Sequence, residues 1–414
     1  MKKIITKDWD KVIPADVKSY QKNGGYIALK KVTRMKPIEV IEEISQSGLS
    51  GRGGAGFPTG KKLEIATKQK DTERYFICNL DESEPGTYKD RMIAERNPHS
   101  LLEGIAIASY AIGAKRAYIY INGNFALARR MLDRAVEEAE KENCLGKGIM
   151  GSLFDLELTM VSGAGAYICG EESALINSIE GKRGEPRRRP PFVCECGLFG
   201  HPTVVNNAET IASIAWIIKN GAPKYKKIGD NFNSGTKLFC IDGAINSPGL
   251  YEAPLGTTVR ELIFEFAGGL RAGTEYWFAQ IGGSAGHLIP IGLLDEGPGY
   301  GKDVKIPVGS GSILVVDKSQ DIKKLMLAWI RFFQRESCGK CVPCREGTFR
   351  LKAIIERLNN GNFDENDKED FHKLIWTLDN TTYCPLGKFS VIALKDVVKY
   401  KYVKELNLSK NKSE

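Results

Sequence analysis

Only four of the 414 residues are histidines (His99, His201, His287 and His372), and none is spaced with a serine or cysteine as a nucleophile set would be. Acyl transfer by a Ser/His/Asp or Cys/His arrangement is therefore not evident, and all four histidines read as structural or surface residues. Long apolar runs are missing as well. The best stretches are LLEGIAIASYAIGA, which carries Glu103, and LMLAWIRFF, which is too short to cross a bilayer. The opening MKKIITKDWDKV reaches Asp8 and Asp10 before any apolar run, so no secretory signal is expected and the cell interior follows. No basic stripe interleaved with aromatics appears, which argues against a nucleic-acid partner despite the net charge of +8. Part of that charge sits at Lys399, Lys401, Lys404, Lys410 and Lys412, read as a solvated, frayed end. Ten cysteines in a chain this long do not make a disulfide scaffold.

Four of the cysteines are arranged differently from the rest. Cys338, Cys341 and Cys344 recur every third residue in CGKCVPC, and Cys384 follows far downstream before Pro385. Three thiolates from one tight turn and a fourth from a distant segment suit a [4Fe–4S] cube, which then ties two stretches of chain together. Structural zinc usually shows two separated Cys-x2-Cys pairs, which this chain lacks; zinc and a disulfide remain the other readings of these residues. Cys78, Cys144, Cys169, Cys194, Cys196 and Cys240 are scattered, and most read as small core hydrophobes.

Length and texture point to several domains. Pro37 to Leu49 has helical spacing, then a glycine-rich loop runs from Gly51 to Gly60. Strands are expected at Tyr75–Asn79, Arg116–Asn122 and Phe154–Val161, alternating with helices at Ser100–Gly113 and Phe125–Asn143; Thr203–Lys219 reads as helix. That alternation predicts a parallel α/β sheet covered on both faces. Near Gly235 the pattern changes to short strands and turns around a small helix at Val259–Ala267, and from Asp321 onward the chain reads as helices. The expected divisions are 1–234, 235–318, 319–400 and a basic tail, 401–414.

Gly51-Arg-Gly-Gly-Ala-Gly56 formally matches G-x-G-x-x-G, but it follows a helix rather than a strand, so it is no dinucleotide fingerprint. Its physical content stands without the motif. Glycines expose N–H groups and admit a ligand closely. Arg52, Lys61 and Lys62 add positive charge, and Phe57 adds a face for a flat ring. The acidic turn Asp81-Glu-Ser-Glu84 ends a strand, the ligand edge of an open α/β sheet. Its carboxylates suit ribose or ribityl hydroxyls and would repel a 2′-phosphate, favouring NAD over NADP. A second glycine loop, Gly163 to Gly170, opens into a helix starting at Glu171 and Glu172, a position that favours acids electrostatically. Arg187-Arg-Arg189 reads as solvated surface.

SGLSGRGGAGFPTGKK, CNLDESEPGTYKDR, GAYICGEESALINSIEG, PPF, NNAET, ESCGKCVPCREG and CPLG occur in one order. Together they resemble the NADH-binding flavoprotein subunit (F type) of respiratory complex I, the NADH:quinone oxidoreductase, over nearly the whole chain. The resemblance implies a Rossmann-like FMN- and NADH-binding domain, a ubiquitin-like β-grasp module, and a C-terminal helical bundle with a [4Fe–4S] cluster on Cys338, Cys341, Cys344 and Cys384. It implies that Gly51, Arg52, Gly53, Gly54, Ala55, Gly56 and Phe57, through Lys62, contact FMN and NADH, with Phe57 and Phe192 stacking on adenine. Lys62, Asn79, Asp81, Glu82, Gly170, Glu171, Asn206 and Asn207 would hold FMN, and Glu84, Tyr167 and Glu172 would face the nicotinamide or its ribose. Glu84 and Glu172 are the candidate catalytic carboxylates. Two departures stand out: Ile65 sits where the family often has a second aromatic, and Val193-Cys-Glu-Cys196 replaces Pro-Ala after Phe192.

The chemistry implied is NADH oxidation. NADH gives two electrons as hydride, a cluster takes one at a time, and a flavin does both. The resemblance adds two partners, a small thioredoxin-like [2Fe–2S] subunit and a larger multi-cluster iron–sulfur subunit. It implies a cytoplasmic location, peripheral to the cell membrane. The alternative is the diaphorase subunit of an NAD-linked hydrogenase or formate dehydrogenase.

Overall fold

The computed structural model describes residues 2–407. Its first part is built on four parallel strands, β1 (Tyr75–Leu80), β2 (Arg116–Asn122), β3 (Glu157–Gly163) and β4 (Thr203–Asn207), in the order β3-β2-β1-β4. β1 is apolar almost throughout because it is buried on both faces and flanked on both edges. The helices Pro98–Ile112 and Ala126–Lys141 follow β1 and β2, as the sequence pattern predicts. Two expectations need correction. The third strand lies at Glu157–Gly163, not Phe154–Val161. Thr203–Asn207 is a strand in front of the helix Ala208–Asn220, not its first turns. β-branched Thr203, Val204 and Val205 pair in register with Tyr75, Phe76 and Ile77. Asn207 then accepts from Glu209 N–H and caps the helix.

One face of this sheet packs on helices through Leu101, Ile105, Ile107, Ile211 and Ile214. The other face presents Tyr75, Ile77, Tyr120 and Val205. It is covered by Ile168, Ala174 and Leu175, and by Phe333, Cys344 and Leu386 from far along the chain. The expected covering on both faces is thus observed, and the second cover comes from the cysteine-bearing region.

The middle part is a five-stranded mixed sheet in the order β6-β5-β11-β7-β8. It comprises β5 (Thr236–Gly243), β6 (Gly249–Pro254), β7 (Tyr276–Ile281), β8 (His287–Pro290) and β11 (Ser312–Asp317), with a short pair, β9 (Pro298–Gly299) and β10 (Ile306–Pro307), beside it. β11 runs parallel to β5 and antiparallel to β7. A helical turn at Glu261–Phe266 packs Leu262 and Ile263 on Phe239, Ile241, Ala279 and Ile313. The opposite face gives Phe278, Leu288 and Val316 to the last part of the chain.

That last part is helical: Ile322–Glu336, Val342–Asn359, Glu365–Thr381, Pro385–Phe389 and Ile392–Lys399, around Met326, Ile330, Leu351, Phe371 and Leu394. The expected frayed tail is corrected in part. Val403 and Leu406 are buried in this core, and Lys323 holds Glu405 at 2.6 Å. Apolar side chains at 403 and 406 dock the segment despite its lysines. The rest of that expectation, with Lys410 and Lys412, lies outside the described residues.

Candidate functional site

Two concave sites share one wall. The first gathers the four cysteines. Cys338 lies in the turn after the helix Ile322–Glu336, Cys341 caps the helix Val342–Asn359, Cys344 stands in its first turn, and Cys384 precedes Pro385. Together with Ile168, Pro186, Ser337, Lys340, Tyr383 and Leu386, they line one small hollow. Ser337 Oγ sits 3.2 Å from Cys344 Sγ, and Arg345 Nη1 donates to Gly339 O at 2.7 Å, bracing the turn. Burial pushes the Cys344 thiol up to about 11 and the Cys384 thiol up to about 12, and the neighbouring sulfurs add to both. Four thiolates in so apolar a hollow need a cationic centre to coexist. Among the described residues, no three His, Cys, Asp or Glu side chains gather tightly enough for a single ion. Zinc would demand sulfurs drawn in to bonds of about 2.3 Å. Three thiolates from one turn and a fourth from a distant segment around one hollow are the donor set of a [4Fe–4S] cluster.

The second site is the crevice at the carboxyl ends of β1 and β4, where the strand order reverses. Asn79 and Asn207 are register partners there. Both carboxylate oxygens of Asp81 and the amide nitrogen of Asn206 are buried without a partner. Buried polar groups are otherwise almost always paired, so both keep bonding capacity that a ligand with hydroxyls or other polar groups would use. Burial pushes the Asp81 carboxyl up to about 7 against the opposing pull of the nearby Ser83 hydroxyl, with the charge of Glu336 adding to the rise. Asn79 donates to Gly170 O at 2.9 Å, and its own oxygen accepts from Asp81 N–H at 3.0 Å. The glycine loop closes over this edge. A Cβ on Gly53 would lie 3.0 Å from Asn207 Cβ, so a side chain there would crowd Asn207 and push the two apart by a few tenths of an ångström.

The carboxylates differ in what they already hold. Glu84 accepts from Tyr167 Oη at 2.7 Å and from Ser284 N–H at 2.7 Å, and burial pushes it up to about 7. Glu172 meets Lys62 Nζ at 2.9 Å and Arg189 at 3.2 Å. Burial alone would push it up, but these cations hold it below the usual carboxylate range. Lys62 also donates to Val205 O at 3.0 Å.

Three profile matches run along the chain: a Nuo51 FMN-binding domain over 44–216, an SLBB domain over 238–284, and the iron–sulfur binding region of NADH-ubiquinone oxidoreductase-F over 324–405. The chain is 47% identical to the NADH-quinone oxidoreductase F subunit of Aquifex aeolicus, over 90% of this chain and 86% of that protein. It is 42% identical to an F subunit, numbered 2, of the same oxidoreductase in Rhizobium meliloti, over 92% and 91%. The chain belongs to the family of NADH-quinone oxidoreductase F subunits. Among solved structures it is similar to an NAD⁺-reducing [NiFe]-hydrogenase in the H2-reduced state, with TM-score 0.83 and 34% identity over 91% of this chain. It spans 64% of that hydrogenase chain.

The FMN-binding match contains the glycine loop, the acidic turn and all four parallel strands, and the iron–sulfur match contains all four cysteines. Several side chains expected at the ligand already have partners within the fold. Arg52 is fully buried; it donates to Ser50 Oγ at 2.8 Å, Tyr225 Oη at 3.1 Å and Ser234 O. Lys61 pairs with Glu64 on its own helix, whereas Lys62 turns its charge to Glu172 at the crevice. Glu82 accepts from Asp90 N–H and Arg91 N–H, both at 3.0 Å, capping the helix Lys89–Arg96. Glu171 caps Glu172–Ile179 through Ser173 and Ala174 N–H and pairs with Arg189. The amide of Asn207 is used by Asp90 and Glu209. In the arginine run, Arg188 and Arg189 are exposed as expected, while Arg187 reaches Glu180 at 2.7 Å and Arg189 also bridges Glu171 and Glu172.

Gly54, Ala55, Gly56 and Phe57 stay in the open loop, and the Phe57 and Phe192 rings are 44% and 52% exposed. Sequence reasoning did not single out Asp90 or Glu336, whose partners Asn207 and Tyr167 lie far away in the chain; no local spacing marks them. Cys194 is buried and Cys196 exposed, and both are free thiols.

Proposed function

We propose that this chain oxidises NADH at a flavin seated in the crevice and delivers the electrons singly to a [4Fe–4S] cluster in the cysteine hollow, as an NADH dehydrogenase subunit of an NADH:quinone oxidoreductase. The observation that carries it is the shared wall, Tyr167–Gly170. Gly170 O and Tyr167 Oη bond to Asn79 and Glu84 on the crevice side, while Ile168 lines the hollow. Bound FMN supplies the conversion between hydride and single electrons, and the cluster supplies a one-electron store. The protein positions and tunes them. The loop Gly51, Gly53, Gly54, Ala55 and Gly56 offers N–H groups, while Asn79, Asp81, Gly170 and Asn206 offer polar contacts to FMN. Phe57 and Phe192 clasp adenine. Glu84, Tyr167 and the Lys62–Glu172 pair orient the nicotinamide and its ribose.

The unit 1–234 is read as a Rossmann-like FMN and NADH domain, 235–318 as a ubiquitin-like module and 319–400 as the cluster-bearing helical bundle. A thioredoxin-like [2Fe–2S] subunit and a multi-cluster subunit would carry electrons onward. No helix among the described residues is long and apolar enough to cross a membrane; the proposed place is peripheral, on the cytoplasmic side. Likeness to the NAD⁺-reducing hydrogenase supports a second reading, a hydrogenase diaphorase, which the identity of co-purifying subunits distinguishes. The test is an optical and EPR titration with NADH of the protein purified anaerobically with its partners. Bleaching of a flavin band and a reduced-cluster signal are expected; a colourless, zinc-bearing protein would overturn the proposal.

A further inference from the structure

Glu336 ends the helix Ile322–Glu336, two positions ahead of Cys338, and nothing in the cysteine spacing requires an acid there. Its Oε2 accepts the main-chain N–H of Tyr167 at 2.9 Å in a partly buried position. Its charge is felt at Asp81, Tyr167 and Cys169, so it sits beneath the shared wall. The Tyr167 ring stands edge-on to Phe332, one helical turn before Glu336, at 5.1 Å. The same tyrosine donates its hydroxyl to Glu84, whose other oxygen takes Ser284 N–H from the middle sheet. Gly283 allows that last contact: a Cβ there would lie 2.3 Å from Glu84 Cγ. A continuous path of hydrogen bonds therefore runs from the cysteine turn through Tyr167 to the acidic turn and the middle sheet.

We propose that Glu336 is a positioning residue: its hydrogen bond to Tyr167 N–H locks the shared wall against the cysteine turn, so that the aim of Glu84 and the setting of the cluster are fixed together. This rests on the flavin and cluster reading above. The wall also packs on that helix through the Tyr167, Phe332 and Phe333 rings, and the Glu336 bond adds a fixed direction to that apolar contact. Without the bond, Tyr167 N–H loses its acceptor, and the segment that carries the Tyr167 hydroxyl to Glu84 and Ile168 to the cysteine hollow loses its directional tie to the helix.

The test uses the full chain in its anaerobically purified complex, as wild type, Glu336→Ala and Glu336→Gln. Flavin and iron are assayed first; a wild-type complex holding neither overturns the function proposed above, whereas the comparison of variants in loaded protein bears on Glu336 alone. With Glu336→Ala, KM for NADH is expected to rise about tenfold, the loss of one charge-assisted hydrogen bond, while kcat falls less. The EPR spectrum of the reduced cluster is expected to change as well. Glu336→Gln keeps an acceptor and should restore both the spectrum and, within about twofold, KM. Wild-type KM and spectrum in Glu336→Ala overturn the proposal, as does a glutamine variant no better than alanine. Should Glu336→Ala not assemble, Glu336→Asp, which draws the acceptor back from Tyr167, takes its place with the same readouts and the same overturning result.

Discussion

Buried polar groups where the parallel sheet meets the middle sheet are answered from within the protein; those at the crevice and the cysteine hollow are not. At the first, Glu209 is fully buried and accepts from Lys237 Nζ at 2.5 Å and Leu238 N–H at 2.7 Å, with Lys89 Nζ at 3.1 Å. Glu252 takes Ile4, Ile5 and Thr6 N–H and the Thr236 hydroxyl, fastening the start of the chain to β6. At the second, Asp81 and the Asn206 amide have no partner, and four thiols face one another around a hollow. The contrast teaches that burial alone does not mark a functional acid. An acid saturated by internal donors is a fastener, and one left open is a place for a ligand.

Opening the unanswered region should abolish chemistry with little effect elsewhere. Cys384→Ala removes the one ligand contributed from outside the cysteine turn, so iron content and the reduced-cluster EPR signal should be lost entirely, and with them electron delivery to partner subunits. Flavin bleaching by NADH should persist, because Cys384 makes no hydrogen bond to Asn79, Asp81, Glu84 or Glu172. If bleaching fails as well, the two sites are not separable.

Breaking the answered region should do the reverse. Lys237→Ala leaves Glu209 with one cation fewer at a fully buried site, and the expected cost is about 3–5 kcal/mol of stability. Urea unfolding measures it, and flavin and iron per folded chain should stay at wild-type levels. Cofactor loss without a fall in stability would place Lys237 with the ligand sites instead.

The same contrast explains what was legible in the residues. The cysteine quartet is a local pattern with one distant member, so spacing alone carried it. Arg116–Asn122 was legible because a short unbroken run of tyrosines and isoleucines stands between polar ends, the signature of a buried strand. Thr203–Asn207 was hidden because a five-residue buried strand runs straight into a helix whose apolar run continues it. The internal partners of Arg52 and Glu82 were hidden for a different reason. A cation in a glycine loop and an acid in an acidic turn look available until their partners are known. Those partners, Tyr225 and the cap of Lys89–Arg96, are set by tertiary placement. Residue type indicates which groups are able to bind; only the pairing shows which are already spent.

Asp81 gives a finer test, because fastener and ligand site predict opposite signs for its removal. Its carboxyl is raised in the folded chain from 3.8 to about 7 by burial, with Glu336 contributing. A raised acid adds stability that is complete below the unfolded value and is lost as pH climbs through the folded one. Stability of the cofactor-free chain should therefore fall between about pH 4 and pH 7, by on the order of 4 kcal/mol from this group. Asp81→Asn should flatten that slope and stabilise the cofactor-free chain at pH 7, while weakening FMN retention. Glu84 shifts in the same direction, so part of the slope should remain. Loss of stability at pH 7 in Asp81→Asn would make the residue a fastener after all.

The smallest effect concerns Phe57 and Phe192. At 44% and 52% exposure both rings are costly to leave in water, and neither belongs to a core cluster. Truncating either to alanine removes a stacking face without opening a cavity. Stability should stay within about 0.5 kcal/mol, whereas KM for NADH should rise by roughly fivefold, the worth of about 1 kcal/mol of aromatic stacking. Ile65→Phe adds a third ring where the family often has one and should lower KM by a similar factor if it reaches the same adenine face. Thermal melts beside NADH titrations separate the outcomes. A melt that drops as KM rises would show that these rings hold the loop rather than the nucleotide, and would move them to the answered side of the contrast.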